Sequence, residues 1–136
     1  SNPFNEMEYS VPAEVGADCV REILRTIYDQ AIDVAFPLEF RYVSPEDPWL
    51  SMAYGDEPHA TISIHRTARA DYKPYFDIIE PIFWKYGGRP HWGKVNYLDG
   101  RQLAAAHSRW EDWWRVRDEL DPAGTFLNGY LKALRD

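Results

Sequence analysis

Apolar positions along this chain recur with a period of two in some segments and of about four in others. Residues 6–11 are predicted to form a short strand, and alternation over 36–43 and 60–65 predicts two more. In the segment 36–43 the apolar side carries Phe36, Leu38, Phe40 and Tyr42, and the opposite side carries Pro37, Glu39, Arg41 and Val43. Each of these strands is therefore expected to bury one face only.

Spacing by four predicts a first helix, which has Pro12 in its first turn and an apolar stripe of Cys19, Ile23, Ile27 and Ala31. A second helix is predicted over residues 71–86, with a kink or break at Pro81 and an end at the following glycine pair. A third is predicted to open on a capping box and to end before Pro122. That box would be formed by Ser108 and Glu111.

A short apolar run over residues 94–98 predicts a last strand. The resulting order is βαββαβ, the ferredoxin-like pattern, within a single domain spanning residues 1–136. The fold class is therefore α+β, an antiparallel sheet with helices on one face. The first and last strands are expected to flank the other two. The second sheet face is then left for a ligand or a partner domain.

Composition narrows the function classes. The net charge of −7 and the pI near 5.0 argue against nucleic acid as a partner, because phosphate binding needs a basic face. No apolar run approaches the roughly 20 residues of a membrane span. The only cysteine, Cys19, excludes an intrachain disulfide and suggests a reduced core thiol, consistent with the cytoplasm.

Candidate chemistry falls on the strand at 36–43. Glu39 and Arg41 are two positions apart, so both point away from the apolar side. The carboxylate can accept hydrogen bonds from hydroxyl groups and the guanidinium can donate to carbonyl or ring oxygens, which suits a polyol or lactone. The alternative is a surface ion pair worth roughly 0–1 kcal/mol.

The hexapeptide 89–94, RPHWGK, concentrates two cations, an imidazole and an indole where Pro90 and Gly93 force a turn. Lys94 would be a positioned charge for an anion or an electron-rich ring. The alternative is a surface loop in which Arg89 or Lys94 makes a cation–π contact with Trp92.

Other polar residues indicate a functional site less specifically. Ser63 and His65 are predicted on the polar side of their strand, either for a substrate or as ordinary solvent-side alternation. His59 and His107 have no second ligand at metal spacing, so no metal site is predicted.

Four blocks carry a resemblance to a known family: residues 36–41 (FPLEFR), 49–51 (WLS), 88–94 (GRPHWGK) and 120–131 (LDPAGTFLNGYL). In this order and spacing they resemble the carboxy-terminal end of the aldonolactone oxidases, which include alditol oxidase. These are flavoenzymes of the vanillyl-alcohol-oxidase type. The similarity extends well over residues 36–131 and more loosely over 6–35.

The resemblance implies roles for particular residues. Glu39 and Arg41 match a pair that reaches the substrate in front of the flavin, and Lys94 matches a lysine beside the flavin pyrimidine edge. In the alditol oxidase branch the strand carrying Ser63 and His65 contacts the substrate. His91 would either contact the flavin or only fix the turn. Trp92 is expected to pack.

The resemblance also implies a larger protein. The chain would be the substrate domain of an FAD-dependent enzyme, and the FAD-binding domain would belong to the same protein. Its partners would be a sugar lactone or polyol, and oxygen or an electron carrier. The intact enzyme is expected in the cytoplasm, and peripheral membrane association is left open. The alternative is a stand-alone ferredoxin-like carbohydrate-binding or interaction module.

Overall fold

A computed structural model describes residues 3–135, which form one four-stranded sheet and five helices. The elements in chain order are β1 (Phe4–Pro12), α1 (Ala13–Asp29), β2 (Glu39–Val43), β3 (His59–Thr67), α2 (Lys73–Lys85), β4 (Arg89–Pro90), α3 (Gly100–Ala106), α4 (Trp110–Leu120) and α5 (Gly129–Ala133). The predicted α+β class is confirmed.

The sheet is antiparallel throughout, in the order β2-β3-β1-β4. The expectation that the first and last strands flank the others is therefore wrong. β1 and β3 lie in the centre, and β2 and β4 form the edges. The two β-α-β connections are β1-α1-β2 and β3-α2-β4, and each carries its helix across the same face of the sheet. With this strand order β1 lies between β3 and β4.

One sheet face is apolar and lies against α1 and α2. Met7, Tyr9 and Val11 of β1 lie opposite Ile64, Ile62 and Ala60 of β3, and all six are fully buried. The Tyr9 ring stacks on Phe83 of α2 with centroids 4.7 Å apart. A Cβ at Gly16 would lie 2.7 Å from the Cβ of Ala60, so glycine at this position lets α1 approach β3 closely.

The other sheet face carries the polar side chains of the three longer strands. We call this the polar face, and it is defined by Glu6 and Glu8 of β1, Ser63 and His65 of β3, and Glu39 and Arg41 of β2. Residues opposite each other in an antiparallel pair point to the same side, and the register pairs Glu6 with His65 and both Glu8 and Glu39 with Ser63. Arg41 lies two positions from Glu39 and therefore points to the same side.

The predicted strand at 94–98 is wrong, because the last strand is the short β4 at Arg89–Pro90. The chain still follows β1 for a few residues beyond it. The backbone N–H groups of His91 and Val95 donate to the carbonyls of Glu8 and Glu6, both at 2.9 Å. The Tyr97 N–H then donates to the buried carboxylate of Glu80, which takes this segment away from the sheet.

The helices differ from the predictions at the capping box and in having no break at Pro81. α4 begins at Trp110 without a side-chain cap, so the predicted capping box of Ser108 and Glu111 is wrong. A capping box does open α3, where Asp99 and Gln102 bond each other's backbone N–H groups. α2 continues past Pro81 without a break.

α1 also differs from its prediction at both ends. Pro12 is the N-cap residue of α1 and lies just outside its first turn. α1 ends at Asp29, so Ala31 lies outside the helix and adopts a positive φ of 50°. α3 was not predicted from the sequence, and it packs on α4 beside β4, where Ala106 accepts from Arg89.

Candidate functional site

Glu39 and Arg41 lie side by side on the edge strand β2, where both side chains are exposed. Glu39 makes no hydrogen bond or ion pair with any described residue of the chain. Arg41 uses one of its donors: its Nη2 lies 3.0 Å from Oε2 of Glu8. The alternation along β2 therefore presents an acceptor group and a donor group with free hydrogen-bonding capacity at neighbouring points.

Glu8 on the central strand β1 bonds to polar side chains of both β2 and β3. Its carboxylate is buried, and the same Oε2 atom accepts hydrogen bonds from Arg41 Nη2 at 3.0 Å and from Ser63 Oγ at 2.8 Å. A buried carboxylate requires such partners, because removing it from water without them is costly.

Lys94 reaches the same face from the segment after β4. Its Nζ pairs with Oε2 of Glu6, and the Nε2 of His65 lies 3.6 Å from the other oxygen of that carboxylate. Burial alone would raise the pKa of Glu6, but the hydrogen bond and charge of Lys94, together with smaller contributions from His65 and Ser63, outweigh burial, and the pKa lies below its usual value. The Glu6 carboxylate is thus ionised next to a half-buried ammonium group.

The turn at 89–94 is fixed by its own polar groups. The Nδ1 of His91 accepts from the Gly93 N–H at 3.0 Å, so this imidazole locks the turn. Trp92 stacks on His107 and Trp110 and donates from Nε1 to the carbonyl of Leu50 at 2.9 Å. A packing role for Trp92 agrees with the expectation from the sequence.

The alternative cation–π contact with Trp92 is not formed by either cation. Arg89 donates to the carbonyls of Ala106 and Tyr54 at 2.9 and 2.7 Å, and Lys94 pairs with Glu6. Burial lowers the pKa of the Arg89 guanidinium. Arg89 therefore ties β4 to two neighbouring segments, while Lys94 is directed to the polar face.

Ser63 and His65 are closer to the interior than Glu39 and Arg41. Ser63 is 1% exposed and its hydroxyl proton is committed to Glu8. His65 is 6% exposed, with Phe4 edge-on at 5.2 Å and Phe36 at 6.2 Å. Phe36 thus lies on the polar side, not with Leu38 as the alternation predicts, because it precedes β2. Direct substrate contact by Ser63 or His65 stays a prediction.

Two surface hollows border the polar face, one beside Arg41 and the other beside Lys94. One, of about 310 Å³, is lined by Arg41 and Glu8 together with Ser51 and other residues of the loop after β2. The second, of about 420 Å³, is lined by Lys94, Glu6 and Phe4 among others. The first offers a guanidinium and carboxylates to a polar ligand, and the second offers an ammonium group beside an aromatic ring.

Glu6 and Glu8 were not recognised from the sequence, although they contact four of the candidate residues, namely Arg41, Ser63, His65 and Lys94. The available signal was their alternation with the buried residues Met7 and Tyr9, which places two acids on the polar side of β1. Their function could not be recognised without the strand order, because only the central position of β1 brings Glu8 to Arg41 and Glu6 to Lys94.

Within residues 3–135, no helix has the length and apolar character needed to cross a membrane. No group of three or more His, Cys, Asp or Glu side chains within that range is arranged to hold a metal ion.

Together, the sheet order and the polar face define an α+β domain that presents a carboxylate, a guanidinium and an ammonium group on one side of an antiparallel sheet. The sequence profile of the D-arabinono-1,4-lactone oxidase family matches residues 1–134. The chain belongs to this family.

Several characterised proteins are similar over nearly the whole chain. L-Gulono-1,4-lactone dehydrogenase of Mycobacterium tuberculosis is 36% identical over 131 residues, which is 96% of this chain and 30% of that protein. Alditol oxidase of a Streptomyces species is 31% identical over 134 residues, covering 96% and 31%. L-Gulonolactone oxidase of Mus musculus is 28% identical over 131 residues, covering 93% and 30%. The chain therefore spans about a third of the length of these relatives.

Proposed function

We propose that this chain is the substrate-side part of an FAD-dependent oxidoreductase that oxidises an alcohol group of an aldonolactone or an alditol. Membership of the D-arabinono-1,4-lactone oxidase family supports the reaction class, and the names of the relatives support these two substrate classes. The FAD would be held mainly by another part of a longer protein, and when bound it would accept the hydride removed from the alcohol carbon.

The observation that carries this proposal is the exposed acid and base on β2, which keep unused hydrogen-bonding capacity. Glu39 and Arg41 are both exposed and both on the polar face, and Arg41 lines the hollow of about 310 Å³. Arg41 would donate hydrogen bonds to a ring, carbonyl or hydroxyl oxygen of the substrate, and Glu39 would accept from its hydroxyl groups. Together they would orient the alcohol and ease the loss of its proton.

The residues around Lys94 fit the edge of a flavin ring. The half-buried ammonium group borders the hollow of about 420 Å³ whose wall includes Phe4 and Val95. Lys94 would hold positive charge against the pyrimidine edge, where negative charge develops on reduction. The ionised carboxylate of Glu6 would keep that ammonium group in place.

The test uses the full-length protein that contains this chain, with its flavin bound. We expect oxidation of an aldonolactone such as L-gulono-1,4-lactone, or of an alditol. Arg41→Ala should lower kcat/KM by about tenfold or more, because hydrogen bonds to a charged group contribute roughly 1.5–3 kcal/mol.

Arg115→Ala is the matched control. Arg115 on α4 is 59% exposed against 56% for Arg41, and it pairs only with surface acids of its own helix. This variant should retain its kinetics. If the full-length protein binds sugars without oxidising them, a carbohydrate-binding module is the better description. If Arg41→Ala behaves like Arg115→Ala, Arg41 has no part in catalysis.

A further inference from the structure

We propose that Glu8 is a positioning residue, which holds the Arg41 guanidinium in the orientation that the substrate meets. The inference rests on the proposed function of Arg41, and it extends the site to a buried carboxylate that acts through Arg41.

The first support is the convergence of two donors on one buried atom. Oε2 of Glu8 accepts from Arg41 Nη2 and from Ser63 Oγ, which come from the strands β2 and β3. Glu8 is 6% exposed, so its charge is shielded from water and its attraction for the guanidinium is stronger than at a surface. One carboxylate therefore fixes groups on two other strands.

The second support is the unequal exposure of the pair. The Glu8 side chain is 8% exposed, whereas the Arg41 side chain is 56% exposed. A surface ion pair formed only for stability would leave both groups mobile. Here a buried anchor holds one nitrogen of a guanidinium whose other donors remain available. Fixing a long side chain before binding reduces the entropy lost when the ligand arrives.

The third support is the anchoring of Glu8 itself. The hydroxyl of Ser63, which is 1% exposed, donates to Oε2 of Glu8 at 2.8 Å and holds the carboxylate in place. Glu8 is therefore a fixed acceptor for Nη2 of Arg41. Its neighbour on the polar side of β1, Glu6, makes the corresponding contact with Lys94, so the two acids serve different cations.

The experiment is a double-mutant cycle in the flavin-loaded, full-length protein, with an aldonolactone or alditol as substrate. Glu8→Gln keeps the shape of the side chain and removes its charge. We expect it to raise KM by about tenfold with a smaller effect on kcat, from the weakened charge-assisted hydrogen bond. In the Arg41→Ala background the same change should cost less than about twofold, because Glu8 acts through Arg41.

Two further variants guard against a loss of folding. Glu8→Asp keeps the charge but withdraws it by one methylene group, and it should raise KM less than Glu8→Gln does. Glu22→Gln is the control for removing a carboxylate, since Glu22 also accepts from two side chains but lies on α1, with partners Lys85 and Tyr86. It should leave KM unchanged.

The outcomes separate this inference from the proposed function. If Arg41→Ala is damaging while Glu8→Gln and Glu8→Asp leave KM unchanged, the positioning role is refuted and the proposed function stands. If the effects of Glu8→Gln and Arg41→Ala multiply, Glu8 has a structural role independent of Arg41, and the inference also fails. If Arg41→Ala is itself without effect, the proposed function and the inference fall together.

Discussion

His107 should make the stability of this chain fall as the pH falls from 7 to 4. The side chain is 1% exposed, and neither ring nitrogen has a hydrogen-bond partner among the described residues. Burial lowers the pKa of His107 from 6.5 to about 4, and the nearby charge of Arg89 acts in the same direction. The folded protein therefore keeps this imidazole neutral at pH values where the unfolded chain protonates it.

The sign and size of the effect follow from this difference. Above pH 6.5 both states carry a neutral imidazole, so His107 contributes no pH dependence. Below that pH the unfolded state binds a proton that the folded state does not, and the free energy of unfolding decreases. The decrease should reach about 2 kcal/mol at pH 5 and about 3 kcal/mol near pH 4, on the order of 1.4 kcal/mol for each unit of pKa.

The assay is urea unfolding of this chain and of His107→Phe at pH 7 and pH 5. Phenylalanine preserves a ring that can stack on Trp92, but it cannot be protonated. Other groups titrate in both proteins, so their contributions cancel when the two pH dependences are compared. The wild-type chain should lose about 2 kcal/mol more than the variant between these pH values. Equal losses would show that His107 is protonated as easily in the folded state.

Two further predictions concern Gly100 of α3 and Cys19 of α1. Gly100→Ala should lower the free energy of unfolding by about 1–3 kcal/mol or more, because the new Cβ would lie 1.9 Å from the Leu134 carbonyl oxygen. Gly129→Ala, where nothing lies within 4 Å, should be neutral or slightly stabilising in the same denaturant titration. Burial raises the pKa of Cys19 to about 12, so a thiol reagent should modify it only in denaturant. Rapid modification under native conditions would mean that α1 opens readily.

The sequence predicted the central strands and the two helices on the sheet because apolar residues recur on one side of each. In β3, for example, Ile62 and Ile64 alternate with the polar Ser63 and His65, and a period of two indicates a strand. The structure buries both sides of β3, so the polar alternation did not mark a solvent-exposed side. The prediction of a strand at 94–98 is wrong because of a contact with a residue distant in the sequence. The Glu80 carboxylate on α2 accepts the Tyr97 N–H, and periodicity carries no information about that contact.

The sequence pointed to candidate residues on β2 and β3 but not to the acids of β1 that contact them. Glu39 and Arg41 are recognisable because both lie on the polar side of one strand, whichever strand is its neighbour. The contribution of Glu8 depends on β3 lying between β1 and β2, and the contribution of Glu6 depends on the chain after β4 running beside β1. Local sequence determines which side of a strand a residue occupies, but the order of the strands determines its partners.

The central claim is that the polar face meets the substrate, and the most direct test is a structure of the full-length, flavin-loaded protein with a sugar lactone or alditol bound. We predict that substrate oxygens lie within hydrogen-bond distance of Arg41 and Glu39, and that Lys94 borders the flavin on the same side of the sheet. A substrate bound in front of the flavin without contact to β2 would contradict the account.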